Sequence, residues 1–299
     1  MYETIRTTSF IEKYPFPVNS SYMIFNLTDF KPDIIEQLHL INCKYNGICM
    51  EGFLYYYLKQ FKSFNIENIE LLQKCFDFII ELYKNKFIDN HSEIPQLETV
   101  VNIYSSNLKL ISKSLINIVK KKLFDSYSFD ELFSNTDSLL FYICLHLLNH
   151  LEKNLETLIF NKFKEYFEEL IYNINDLKKY IEKISNNFDR CKNIKIGIDI
   201  ETKKTIENNY IEITGEADLI INDFLIDIKC SLETEDNKDK WHRQLEVYNN
   251  SLSMKNIAII NILTNHYIIY TTTDDFQKYD LKYSIKENDV CDYFEKYYV

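Results

Sequence analysis

The chain has 299 residues, enough for one large domain or two ordinary ones, and its 46% hydrophobic content is that of a globular protein with a sizeable core. A formal net charge of −11 excludes a general nucleic-acid coat, which would be basic. It leaves open an enzyme that meets DNA through a local basic strip, because a protein's field depends on the distribution of charge as well as its total. Seven cysteines lie at 43, 49, 75, 144, 191, 230 and 291 with no CxxC, so free thiols in a reducing compartment are expected. The N-terminal MYETIRTTSFIEKYPF has no continuous apolar stretch of the kind a secretory signal needs. No run of 18 apolar residues occurs, so no transmembrane helix is expected. These features point to a soluble, intracellular protein of the cytoplasm, the nucleus or a viral factory, with no membrane partner. Only four Gly and four Pro occur, against many Asn, Ile, Lys and Tyr, a bias that fits an AT-rich viral, phage or protist genome. A glycine that persists under that bias is expected to be needed for its backbone.

Residues 1–30 show aromatic and β-branched residues without a clear period. Residues 29–42 read as a helix with Pro32 near its first turn. Asn46 and Gly47 should interrupt it, and a second helix is expected over 49–64. From 65 to about 190 the pattern is helical. Ile69, Leu72, Phe76, Ile79 and Tyr83 alternate in steps of three and four within 66–86, and further helices are expected at 96–123, 137–172 and 175–189. Pro95 and clusters of Asn and Asp mark the breaks.

The pattern changes near Asn193. Strand-length runs follow at 194–203, 209–222 and 224–231, the last two separated by Asn222-Asp223, a short polar break suited to a tight hairpin. The polar stretch 232–240 reads as a mobile loop, 241–252 as a short helix, and 256–265 and 266–273 as two more strands. The tail is expected to end in a helix at about 287–297. The predicted order is thus a helical half followed by β-β-β-α-β-β.

The chemistry concentrates in GEADLIINDFLIDIKCS, residues 215–231. Asp218 lies on one strand, with Asp227 and Lys229 on the next. Alternation along a strand places Asp227 and Lys229 on one face and Ile228 on the other. The flanking Leu219, Ile220, Ile221, Leu225, Ile226 and Ile228 suggest strands buried on both faces. Two carboxylates and an ammonium there would cost several kcal/mol without partners. A divalent metal offsets that cost, and Mg²⁺ prefers carboxylate oxygens and retained waters. Such an ion lowers the pKa of bound water and neutralises charge on a phosphate, and a nearby lysine can orient or deprotonate that water.

This arrangement resembles the PD-(D/E)XK nuclease superfamily, in its RecB-like and phage-exonuclease-like branches. The resemblance matches Asp218 to the first acidic residue, Asp227 to the D/E position and Lys229 to the lysine. It also implies the backbone carbonyl of Ile228 as a metal ligand. Gly215 matches the common GxxD form, while Ala217 stands where the naming Pro would be, a departure the wider superfamily tolerates. Gln244 and Tyr248 in QLEVY resemble the QxxxY helix motif, which the family sets beside the metal to contact the DNA backbone or position catalytic groups. Trp241 and His242 precede that pair and are candidates to line the same cleft.

The family often adds an acidic ligand from an earlier helix. Glu51, in GICMEGFLYYYL, is the leading candidate, with Glu168, Glu169 and Glu182 as rivals and His146 or His150 as weaker ones. If Glu51 serves, the helix over 49–64 belongs to the nuclease core and 65–190 is a helical insertion. His146 and His150 have the i, i+4 spacing that can bind zinc, but without HExxH or a suitably spaced Cys they read as two ordinary helix histidines. Lys109, Lys113, Lys120, Lys121 and Lys122 read as a solvated helix face rather than a DNA-facing strip. The stripe Phe53, Tyr55, Tyr56 and Tyr57 reads as core. Cys291 alone near the C-terminus offers no iron–sulfur cluster.

The expected fold is α/β (α+β). A PD-(D/E)XK core over 191–299 would have a central mixed sheet of about five strands flanked by helices, preceded by a large all-helical part over 1–190. The expected function is a Mg²⁺- or Mn²⁺-dependent nuclease hydrolysing DNA, single- or double-stranded, in repair, recombination or replication. A helicase or other replication or repair protein is a candidate partner, since no helicase motif lies in the chain. The alternatives are a catalytically idle DNA-binding or assembly module of the same fold, an RNA endonuclease, and an interaction protein dominated by its helical half.

Overall fold

In the computed structural model, the strand-length apolar runs after Asn193 pair into one sheet, joined by two strands from the start of the chain. The structure describes residues 2–13, 21–60, 74–75, 78, 81–82, 136–151, 157–206 and 209–270. The helices expected over 66–86 and 96–123, the helical tail at 287–297, the lysine group 109–122 and Cys291 lie wholly or mostly outside the described residues. The chain divides into two compact units, one of Met1–Lys31 with Glu182–Val299 and one of Pro32–Ile181.

The first unit holds β1 (Tyr2–Arg6), α1 (Thr7–Lys13), β2 (Tyr22–Asn26), β3 (Ile194–Ile206), β4 (Asn209–Ile221), β5 (Phe224–Lys229), α7 (Glu235–Leu252), β6 (Asn256–Asn261) and β7 (His266–Tyr270). The seven strands form a mixed sheet in the order β1-β4-β5-β6-β7-β2, with β3 also paired to β4. About five strands were expected; the two further ones, β1 and β2, come from the first 31 residues, which the sequence suggested belonged to an all-helical part. Each has five residues and finds its partner more than 200 residues away, β1 on β4 through Tyr2↔Tyr210 and β2 on β7 through Tyr22↔Tyr270. Strands that short carry little local signal.

The hairpin between β4 and β5 pairs Ile221 with Phe224 across Asn222-Asp223. Asn222 takes a left-handed conformation, φ 52°, which Asn tolerates better than most residues. Strands β5 and β6 are parallel, so α7 is the crossover between them. Trp241, Leu245 and Tyr248 of α7 pack on Ile220, Leu225, Ile257, Ile259, Ile268 and Tyr270. Val247, on another side of the helix, joins Phe10 and Ile11 of α1 over Ile211 and Ile213.

Helix α7 begins well before the expected start at residue 241. Thr234 caps it, its side chain accepting from the Asn237 amide at 3.2 Å, and Glu235 and Asp236 fall in the first turn, where they oppose the helix dipole favourably. The short connection from Lys229 is also pinned. Asn261 Nδ2 donates to the Ser231 carbonyl at 2.8 Å, and Glu233 accepts from Asn261, Thr264 and His266. A polar composition hid the first two turns, because no large apolar residue appears before Trp241.

The second unit is helical. It contains α2 (Ile34–Ile41), α3 (Cys43–Tyr57), α4 (Thr136–Leu151), α5 (Thr157–Tyr172) and the start of α6 (Ile174–Asn186). The break between α2 and α3 falls at Asn42, and α3 runs through Asn46-Gly47, where an interruption was expected. Asn46 is fully buried there. Its amide donates to the Ile35 carbonyl at 3.1 Å and accepts from the Tyr166 hydroxyl at 3.0 Å, which satisfies a side chain that would otherwise oppose burial. The stretch expected to be helical over 137–172 holds α4 and α5, with 152–156 outside the described residues.

Candidate active site

Strand β4 runs beside β3 along one edge, with pairing on both sides of Gly197 and Asp218. Its other edge is shared. The segment Tyr210–Thr214 pairs with β1, and Leu219–Ile221 pairs with β5. The intervening Gly215–Asp218 therefore has no strand on that edge among the described residues, and the sheet forks there. Asp218 sits at the mouth of the fork, where β5 departs. The Ile228 amide, which has left the ladder with β4, donates instead to Asp218 Oδ2 at 2.7 Å. Asp218 thus holds the main chain between Asp227 and Lys229. Opposite Asp218 on β3, Gly197 takes φ 57°, a conformation that favours glycine.

Asp227 and Lys229 follow Leu225 at steps of two on β5, and so share its face toward α7. Asp227 is 1% exposed and forms an ion pair with Lys229. The lysine side chain is the more accessible of the two, at 20% against 2% for the aspartate. Gln244 on α7 bridges the group. Its Oε1 accepts from Lys229 Nζ at 3.1 Å, and its Nε2 donates to Tyr248 Oη at 2.8 Å and to Asp227 Oδ1 at 3.3 Å. Gln244 and Tyr248 are one helical turn apart, so one rigid element carries both.

The fork also explains Gly215. A Cβ at that position would lie 2.9 Å from Tyr248 Cε1 and 2.7 Å from Thr7 Oγ1, closer than side chains pack. The tyrosine ring thus lies directly on the glycine backbone. Thr7, at the start of α1, donates from its hydroxyl to the Thr214 carbonyl at 3.1 Å and closes the other side. The structure therefore brings together Gly215, Asp218, Asp227, Lys229, Gln244 and Tyr248. Thr7 and Gly197 also shape this place and carried no signal in the sequence. Glu216 stands two residues from Asp218 along β4 and contributes to the same field, a carboxylate that its position in GEAD could have suggested.

Burial raises the pKa of the Tyr248 phenol strongly, and the charges of Asp227, Asp218 and Glu216 add to the effect against the Gln244 hydrogen bond. Burial likewise raises that of Tyr270. Both phenols stay neutral and able to donate through the physiological range. A raised folded-state value means that this stability is fully present below the unfolded tyrosine pKa, about 10, and is lost as pH rises above it. Denaturant midpoints measured across that range should fall above about pH 10; a flat profile through pH 11 would contradict the burial of neutral phenols.

Trp241 and His242 are buried on α7. Trp241 belongs to the apolar cluster over the sheet, and His242 stacks on Tyr270 with centroids 4.5 Å apart and has Nε2 3.3 Å from Glu246 Oε1, an acceptor. Glu51 lies in the helical unit, on α3, with His146 and His150 of α4 as neighbours. Of its rivals, Glu168 and Glu169 lie on α5, and Glu182 lies on α6.

The donor set at the fork suits a hard divalent cation. Two carboxylates on adjacent strands and a main-chain carbonyl at Ile228 supply oxygens, and Asp227 is a buried charge of the kind a cation stabilises. No helix among the described residues is long and apolar enough to cross a membrane. No family model, no curated protein and no solved structure matches the chain.

Proposed function

We propose that the protein is a metal-dependent nuclease that hydrolyses DNA phosphodiester bonds at the fork between β4 and β5. The observation that carries this reading is the convergence of Asp218, Asp227, Lys229, Gln244 and Tyr248 in one hydrogen-bonded group. Its order along the chain is that of the PD-(D/E)XK nucleases it resembles.

Asp218, Asp227 and the Ile228 carbonyl would hold Mg²⁺ or Mn²⁺. When bound, such an ion supplies an acidified water and a counter-charge for the phosphate. The remaining roles fall to side chains. Lys229 presents its ammonium at the more exposed end of the group, where it orients the attacking water and offsets charge on the phosphate. Gln244 fixes the lysine through Oε1 and the tyrosine through Nε2, so both are set before substrate arrives. Tyr248 stays protonated and is available to donate to a phosphate oxygen. The net charge of −11 makes this a local encounter rather than general attraction to nucleic acid.

The test is a panel of single-stranded DNA, double-stranded DNA and RNA oligonucleotides, with Mg²⁺, Mn²⁺ or EDTA. Cleavage of DNA that EDTA abolishes is expected. Cleavage of RNA alone would move the assignment to ribonucleic acid, and metal-dependent binding without cleavage would make the protein an idle module of the same fold.

A further inference from the structure

The helical unit carries a second group of converging ligands, with different chemistry. Glu51 lies on α3, and His146 and His150 lie one turn apart on α4, which packs against α3. The side-chain ligand atoms of the three all lie within 4.8 Å of one another. His146 Nε2 is 3.5 Å from Glu51 Oε1, and the two imidazole centroids are 4.8 Å apart. Ligands at ordinary zinc distances in a tetrahedral site are about 3.3 Å from one another. The buried histidine and the glutamate are thus already near the spacing of two zinc ligands.

The rest of the local structure encloses one of these ligands and leaves another exposed. His146 is fully buried. One side of its ring lies against Gly52, where a Cβ would be 3.1 Å from Cδ2. Tyr142 stacks on it at 6.1 Å between centroids, and Tyr55 meets it edge-on at 5.7 Å. Gly52 adjoins Glu51, so one turn of α3 both supplies the carboxylate and makes room for the imidazole. His150 is exposed, and Glu51 keeps 14% of its side chain accessible. The group therefore opens to solvent on the His150 side.

We propose that Glu51, His146 and His150 bind a zinc ion that ties α3 to α4 and keeps a fourth coordination position open to water. Two imidazoles and one carboxylate favour zinc over Mg²⁺, which takes oxygen ligands and retained waters. Three protein ligands with an open position is the arrangement of zinc sites that bind or activate a further ligand, whereas purely structural sites are closed by four. All three ligands lie within the helical unit. Glu51 is thereby assigned to zinc rather than to the nuclease metal.

The full-length protein, stripped with a chelator, should bind Zn²⁺ by calorimetry, with one equivalent that persists in excess Mg²⁺, which competes for the carboxylate fork. Co²⁺ in its place should give the visible absorption of a tetrahedral nitrogen–oxygen site. Loss of a direct ligand in His150→Ala or Glu51→Gln should weaken Zn²⁺ binding by more than the about 10–100-fold typical for a supporting group. Both positions are accessible, so these variants are expected to fold; unchanged circular dichroism checks this. Asp227→Asn should bind zinc as the parent protein does. Absence of stoichiometric Zn²⁺ binding, parental affinity in His150→Ala and Glu51→Gln, or loss of zinc binding in Asp227→Asn alone would each overturn the proposal.

Discussion

Lys229→Ala should lower metal-dependent DNA cleavage by about 10²–10⁴-fold, the usual worth of a positioned acid–base group. The loss should fall on kcat, because Asp218 and Asp227, the proposed ligands, remain and Mn²⁺ should still bind. Lys229→Arg should not rescue, since a planar guanidinium cannot take the place of a compact ammonium held by Gln244 Oε1 at 3.1 Å. The same substitution has a second consequence. Asp227 is buried and would keep the Gln244 amide, at 3.3 Å, while losing its ion pair. Breaking a buried pair from one side costs about 3–5 kcal/mol at most. The metal-free variant should therefore be less stable than the parent, and Mg²⁺ should recover part of the difference. Parental cleavage rates in a folded Lys229→Ala protein would remove the lysine from the chemistry.

Gly215→Ala should destabilise the protein by about 1–3 kcal/mol, as overpacking of a well-filled site does. The new methyl would meet Thr7 Oγ1 at 2.7 Å and Tyr248 Cε1 at 2.9 Å. The ring has no easy retreat, because Tyr248 is 3% exposed within the cluster that α7 makes with the sheet. Displacing it would also shift the hydroxyl that Gln244 Nε2 reaches at 2.8 Å, and so loosen the hold on Lys229. Denaturant unfolding should show the loss, with cleavage falling alongside. In a Thr7→Ala background one of the two close contacts disappears, so the cost of Gly215→Ala should shrink. An equal cost in both backgrounds would show that Thr7 does not confine this position.

Much of the candidate site was legible because its spacing is local. GxxD, DxK and QxxxY fall within 34 residues, from Gly215 to Tyr248, and the alternation of a strand and the turn of a helix determine which of them share a face. What the sequence could not reveal depends on distant pairing. Strand β1 decides where the sheet forks, and its partner on β4 is about 200 residues away. The same long-range pairing brings Thr7 to Gly215. The bond from the Ile228 amide to Asp218 follows from the end of the ladder between β4 and β5, which no residue pattern marks. Helix α7 was read too short because its first two turns are polar and are held by a cap and a favourable first turn rather than by an apolar face. The helical unit shows the opposite case. The i, i+4 spacing of His146 and His150 was visible, but their meaning changed only when α3 brought Glu51 and Gly52 against them.

The measurement that bears most directly on the nuclease assignment compares the parent protein with Asp227→Asn on the same DNA, with Mn²⁺ and with EDTA, after circular dichroism has shown both to be folded. Mn²⁺-dependent cleavage by the parent and none by Asp227→Asn is the predicted result. No metal-dependent cleavage by the parent, or equal cleavage by both proteins, would contradict it.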